Sequence, residues 1–151
     1  MLTRHLEVIF CDDIRPEVGN KFSLMGLYFG DLQVSELPAV LPKLCLRITL
    51  VTPSAQPFQK AVIRVCLDET VLVEMPNLTS NPEYQANVIA ADEASASENI
   101  DPKNRAATFV TMVTLSPFTI NGEGVLRVKV ETEDGELRAP ALKLKLIPSA
   151  V

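Results

Sequence analysis

Over much of this chain apolar and polar residues trade places every second position, the period of a strand with one buried face. Leu126, Val128 and Val130 alternate with Arg127, Lys129 and Glu131, and Leu142, Leu144 and Leu146 alternate with Lys143 and Lys145. Earlier, Leu44, Leu46, Ile48 and Leu50 alternate with Cys45, Arg47 and Thr49, and Ala61, Ile63, Val65 and Leu67 with Val62, Arg64 and Cys66. Leu6 to Ile14 and Phe22 to Val34 read as a first pair of strands, joined through Pro16 and Gly19-Asn20 into a hairpin, the second bent at Gly26 or Gly30. Val71 to Met75 is a short return strand, and the β-branched run Thr108 to Leu115 is another, extended by Phe118 to Ile120. Asp134-Gly135 is a hairpin signal between the last two periodic segments.

One stretch breaks the pattern. Between Pro76 and Ala107 the chain is rich in Ala, Asn, Ser, Asp and Glu and does not read as core. Ser80-Asn81-Pro82-Glu83 fits a capped helix start, and the Ala-rich continuation predicts a helix ending near Ala94. Tyr84, Ala86 and Val88 also alternate, so a strand is the competing reading of residues 82–94. Asp92 to Lys103 reads as an acidic loop.

These segments predict an all-β fold: an antiparallel β-sandwich of seven to eight strands, in a single domain spanning residues 1–151, with one long excursion holding a short helix. A partly open barrel is the alternative. Composition agrees. Hydrophobic residues make up 47% of the chain but aromatic residues only 5%, so the core is aliphatic, and Phe10, Tyr28 and Phe58, with Phe22 and Phe29, are expected to pack within it. Exposure of Tyr28 and Phe29 would instead mark a partner surface.

Charge narrows the partners. A net charge of -5 with no basic cluster in the linear sequence predicts no nucleic acid and no membrane as partner. Glu7 and Asp12-Asp13 interrupt any apolar leader, which with three unclustered cysteines, Cys11, Cys45 and Cys66, predicts a reducing, cytoplasmic setting. Asn77-Leu78-Thr79 matches a glycosylation sequon by chance on this reading.

Chemistry-bearing signals are sparse. Asp12, Asp13 and Glu17 could offer hard oxygen ligands to a metal such as calcium, although without the ordered spacing of a calcium loop; the competing reading pairs them with Arg15 and Lys21 around a hairpin end. His5, the single histidine, lies six residues from Cys11, about 20 Å along an extended strand, too far for a catalytic dyad. No nucleophile elbow, phosphate loop or dinucleotide fingerprint is present, so no cofactor and no enzymatic activity is predicted.

The run Cys11-Asp12-Asp13-Ile14-Arg15, followed by Glu17, Gly19-Asn20-Lys21, Ser23-Leu24-Met25-Gly26-Leu27-Tyr28 and Leu41-Pro42-Lys43-Leu44, resembles a group of small uncharacterised proteins from bacteria and their phages. The resemblance implies a bacterial or phage origin and carries no activity, cofactor or catalytic residue with it. The expectation is therefore a non-catalytic module that binds another protein or further copies of itself. A small-ligand or metal-binding module centred on Asp12, Asp13 and Glu17 is the first alternative, and a hydrolase using carboxylates or a cysteine the second.

Overall fold

The computed structural model describes residues 2–148. Its strands are β1 (His5–Glu17), β2 (Lys21–Leu27), β3 (Asp31–Val34), β4 (Ala39–Leu41), β5 (Leu44–Pro53), β6 (Ala61–Leu67) and β7 (Thr70–Glu74). After a helix, α1 (Pro82–Ser97), come β8 (Ala106–Leu115), β9 (Phe118–Ile120), β10 (Gly124–Thr132), β11 (Gly135–Arg138) and β12 (Leu142–Leu146). The expected long strands are all present. The larger number arises because two of them divide and two short strands join them.

The strands form an antiparallel sheet in the order β2-β1-β5-β8 and a second sheet in the order β3-β12-β10-β6-β7, with β11 paired to β10. A short ribbon, β4-β9, is hydrogen-bonded to neither sheet, but it packs Phe118 and Ile120 into the same core. In each large sheet one set of alternate residues faces the other sheet. Leu6, Phe10, Leu46 and Ile48 from the first meet Ile63, Val65, Val128 and Leu144 from the second in one apolar cluster. Each such side chain contributes about 1.5–3 kcal/mol relative to leaving it in water, which holds the layers face to face.

Three details differ from the sequence reading. The expected second strand does not simply bend: β2 ends at Leu27 in the first sheet, and β3 begins at Asp31 in the second. There β3 runs parallel to β12, held by bonds from the Lys143 amide to the Gly30 carbonyl and from the Ile147 amide to the Val34 carbonyl, both 2.8 Å. Phe118–Ile120 likewise does not extend β8 but pairs with β4. The hairpin expected at Asp134-Gly135 between the last two periodic strands turns instead at Glu133-Asp134, with Thr132 opposite Gly135, and joins β10 to the short β11 rather than to β12.

The excursion is helical where helix and strand competed. Asn81, not Ser80, caps α1, its side chain accepting from the Glu83 amide at 2.9 Å, and Pro82 fills the first turn where no N–H is needed. The helix runs past Ala94 to Ser97, so much of the predicted acidic loop is helical. Asp92 explains this: Ser54 Oγ donates to it at 2.9 Å and Arg105 lies 3.7 Å away, tying the helix to the ends of β5 and β8. Nor is the excursion wholly outside the core. Leu78 and Tyr84 are buried, and the Tyr84 hydroxyl accepts the Phe58 amide at 2.9 Å. Asn77 of the sequon has a structural use, its side-chain oxygen accepting from the Ala61 amide at 2.9 Å and from the Thr79 hydroxyl at 3.1 Å.

Arg4 was not singled out by sequence, yet it joins the end of β5, the loop after it and the β10–β11 turn. Its guanidinium donates to Thr52 Oγ1 at 3.0 Å, to the Gln56 carbonyl at 2.9 Å and to Asp134 at 2.8 Å, and stacks 4.6 Å from the centre of the Phe58 ring. Among the described residues no helix is long and apolar enough to cross a membrane.

Candidate functional site

The longest strand outruns its sheet. β1 pairs with β5 from His5 to Cys11, whereas its pairing with β2 runs from Cys11 to Glu17. Beyond Cys11 the two strands therefore continue as a two-stranded hairpin arm, closed by Val18, Gly19 and Asn20, the last two in the left-handed region at φ 93° and 57°. A hairpin with no third strand is marginally stable by itself.

Local contacts stiffen the base of this arm. Asp13 accepts from Lys43 Nζ at 2.6 Å and from Arg15 Nε at 3.0 Å, and these two bonds hold its carboxyl below the usual carboxylate range. Asp12 accepts the Tyr28 hydroxyl, whose pKa is pushed up by burial and by the carboxylate it bonds. Gly26 lies beneath Asp12, at φ +69°, and a Cβ there would fall 2.8 Å from the Asp12 carboxyl carbon. Only glycine fits both the backbone and the space.

The arm is nevertheless apolar on its surface. Val18 at its tip is 95% exposed, and Phe22, Met25 and Leu27 along β2 are each close to half exposed. Phe29, just past the base, is 91% exposed. Of the five aromatics expected in the core, Phe10 and Phe58 are buried and Tyr28 packs partly against it, while Phe22 and Phe29 face solvent. Phe22 sits on β2, which has no neighbour on its outer edge, and Phe29 lies in the bend between β2 and β3.

The acids singled out by sequence are spread along this arm. Asp12 and Asp13 are consecutive on a strand and point to opposite faces, and Glu17 lies at the far end opposite Lys21. Among the described residues no group of three or more His, Cys, Asp and Glu side chains is arranged around a common point that could hold a metal ion. His5 is partly exposed, its ring beside the Thr3 carbonyl at 3.1 Å and Glu7 at 3.4 Å, whereas Cys11 is fully buried at the other end of the β1–β5 pairing.

All three thiols are free and buried. Cys11 and Cys45 stand opposite one another in the β1–β5 register, a proximity that a separation of 34 positions in sequence concealed. Burial and the neighbouring Cys45 push the Cys11 thiol up, away from the thiolate that nucleophilic chemistry requires.

An open groove of about 440 Å³ lies beside α1, lined by apolar side chains including Phe58, Tyr84, Val88 and Ile89. Its polar lining residues are Gln59, Thr79 and Gln85, and the Tyr84 hydroxyl is already bonded to the Phe58 amide.

Comparison with known proteins gives one match. A family model described as "Family of unknown function (DUF6941)" covers residues 7–145. No curated protein and no solved structure matches the chain.

Proposed function

The chain belongs to that family of unknown function, and we propose that it is a non-catalytic protein-interaction or assembly module that engages its partner through the β1–β2 arm. The observation that carries this reading is a hairpin without a third strand that keeps Val18, Phe22, Met25 and Leu27 in water. Exposed apolar groups on an unpaired edge are what strand addition and side-chain docking use: backbone groups of β2 supply hydrogen bonds and the apolar side chains supply burial. The Asp12, Asp13 and Gly26 contacts at its base support the same reading, because a pre-stiffened arm loses less entropy on docking. The setting we infer is a bacterial or phage cytoplasm, from the Cys11 to Tyr28 pattern and from three thiols kept unpaired.

Site-specific photo-cross-linking in such cells tests it. A photoreactive residue at Phe22 or Val18 is expected to yield a discrete polypeptide adduct, and one at Glu69, exposed on the β6–β7 turn, is expected to yield none. Arm positions that give no adduct, or the same adducts as Glu69, would overturn the reading.

A further inference from the structure

The outer face of the second sheet collects cations that the linear sequence keeps apart. Register places Arg64 of β6 and Arg138 of β11 on either side of Lys129 of β10, a row of three like charges across three strands. Like charges directly opposite one another in a sheet are destabilising. Arg64 and Arg138 are relieved by acids, Arg64 by Glu74 at 2.9 Å and Glu131 at 2.8 Å, Arg138 by Glu136 at 2.5 Å. Lys129 has no ion pair among the described residues, and neither has Arg127 on the same strand nor Lys143 on β12, which pairs opposite Val125. In a chain of net charge -5 this face is a positive exception.

The complementary surface is on the same molecule but cannot reach it. Helix α1 carries Glu83, Asp92 and Glu93 and no Lys or Arg. Arg105 and Ser54 engage Asp92, while Glu83, Glu93 and the capping Glu98 have no ion pair among the described residues and are exposed. Through Tyr84, α1 packs edge-on against Phe109 of β8, in the first sheet, whereas Arg127, Lys129 and Lys143 point away from that sheet.

We propose that the face centred on Arg127, Lys129 and Lys143 docks helix α1 of a second copy of this chain. Because the two surfaces differ, the contact is head-to-tail: each copy keeps a free face and a free helix, so the product is a ring or an open chain of copies. The contact is electrostatic and uses neither Val18 nor Phe22, so it goes beyond the arm-docking reading and stands or falls separately from it.

Sedimentation velocity on the full chain with Val18→Ser and Phe22→Ser, which silence the arm, is the test. Species heavier than the monomer are expected at about 0.01 M ionic strength and are expected to be lost at about 0.15 M, as the screening length falls from about 30 Å to about 8 Å. In that background, reversing the face (Arg127→Glu, Lys129→Glu, Lys143→Glu) or the helix (Glu83→Lys, Glu93→Lys, Glu98→Lys) is expected to leave only monomer. Mixing the two reversed proteins is expected to restore the heavy species, because each then meets an opposite charge on the other, and restoration also shows that both are folded. A monomer at low salt, heavy species indifferent to salt or to either reversal, or a mixture that stays monomeric would each overturn the proposal. So would a face whose binding in the same assay is confined to added heparin or DNA.

Discussion

Tyr84 offers the sharpest check on how the helical excursion is held. It is the buried residue of α1, with 4% of its surface exposed; its hydroxyl accepts the buried Phe58 amide at 2.9 Å and its ring meets Phe109 edge-on at 6.1 Å. Tyr84→Phe keeps the ring and removes the acceptor, leaving a buried N–H without a partner, a loss of about 1–3 kcal/mol. Tyr84→Ala removes the ring as well, and truncation of a buried aromatic costs about 3–5 kcal/mol in total. With a urea slope of about 2 kcal/mol per molar, the first variant should unfold at a midpoint lower by roughly 0.5–1.5 M and the second by roughly 1.5–2.5 M. Ile89→Ala, on the exposed side of the same helix, should stay within about 0.5 kcal/mol of the parent. Hydrogen exchange should show α1 amides losing protection in Tyr84→Ala before those of β5 and β10. A Tyr84→Phe midpoint within error of the parent, or Tyr84→Ala no worse than Ile89→Ala, would refute the assignment of Tyr84 as the anchor.

Other positions carry separate expectations. Gly26→Ala places a Cβ against Asp12 at a left-handed φ of +69°, and should lower stability by at least about 1–2 kcal/mol in urea titrations; a neutral result would show that the base of the arm is looser than its contacts imply. Arg4→Met, keeping bulk while deleting the donors to Thr52, Gln56 and Asp134, should cost about 1.5–3 kcal/mol by the same measurement. Glu131 is held at a pKa of about 2 by its bonds to Lys60 and Arg64, against an ordinary value of 4.5. A carboxyl depressed on folding stabilises above its unfolded pKa and loses that contribution as pH falls through its folded one. Glu131→Gln should therefore flatten the decline in stability between about pH 4.5 and pH 2, and parallel acid profiles for parent and variant would contradict it.

How far the sequence is legible depends on whether a feature is local. Residues 44–50, 61–67, 126–131 and 142–146 could be read as strands because burial of one face imprints a period of two on each, whatever lies opposite. The start of α1 was legible too, since Asn81-Pro82 supplies both cap and first turn within a few residues. Its end was not: Ser54, 38 positions before Asp92, and Arg105, beyond the helix, hold Asp92 where the local signal fades. The break between β2 and β3 was visible as a pair of glycines, but which sheet each half joins depends on pairing with β1 and with β12, more than a hundred residues later. Phe22 and Phe29 read as core because apolar character says nothing of how many neighbours a strand has. Lys129 looked like an ordinary residue on a wet face until register set Arg64 and Arg138 beside it.

The two proposed contacts obey different physics, and salt separates them. The arm offers Val18, Phe22, Met25 and Leu27, so its association gains from apolar area removed from water and is strengthened by salts such as sulfate that are excluded from protein surfaces. The face offers Arg127, Lys129 and Lys143 against carboxylates on α1, an attraction that mobile ions screen within a Debye length. Raising ionic strength with sulfate on the parent chain should therefore dissolve a head-to-tail chain while preserving, or tightening, whatever the arm holds. An assembly that loses both contacts together under sulfate would mean that the arm also works through charge, and the Asp13, Arg15 and Lys43 group at its base would then be the place to look.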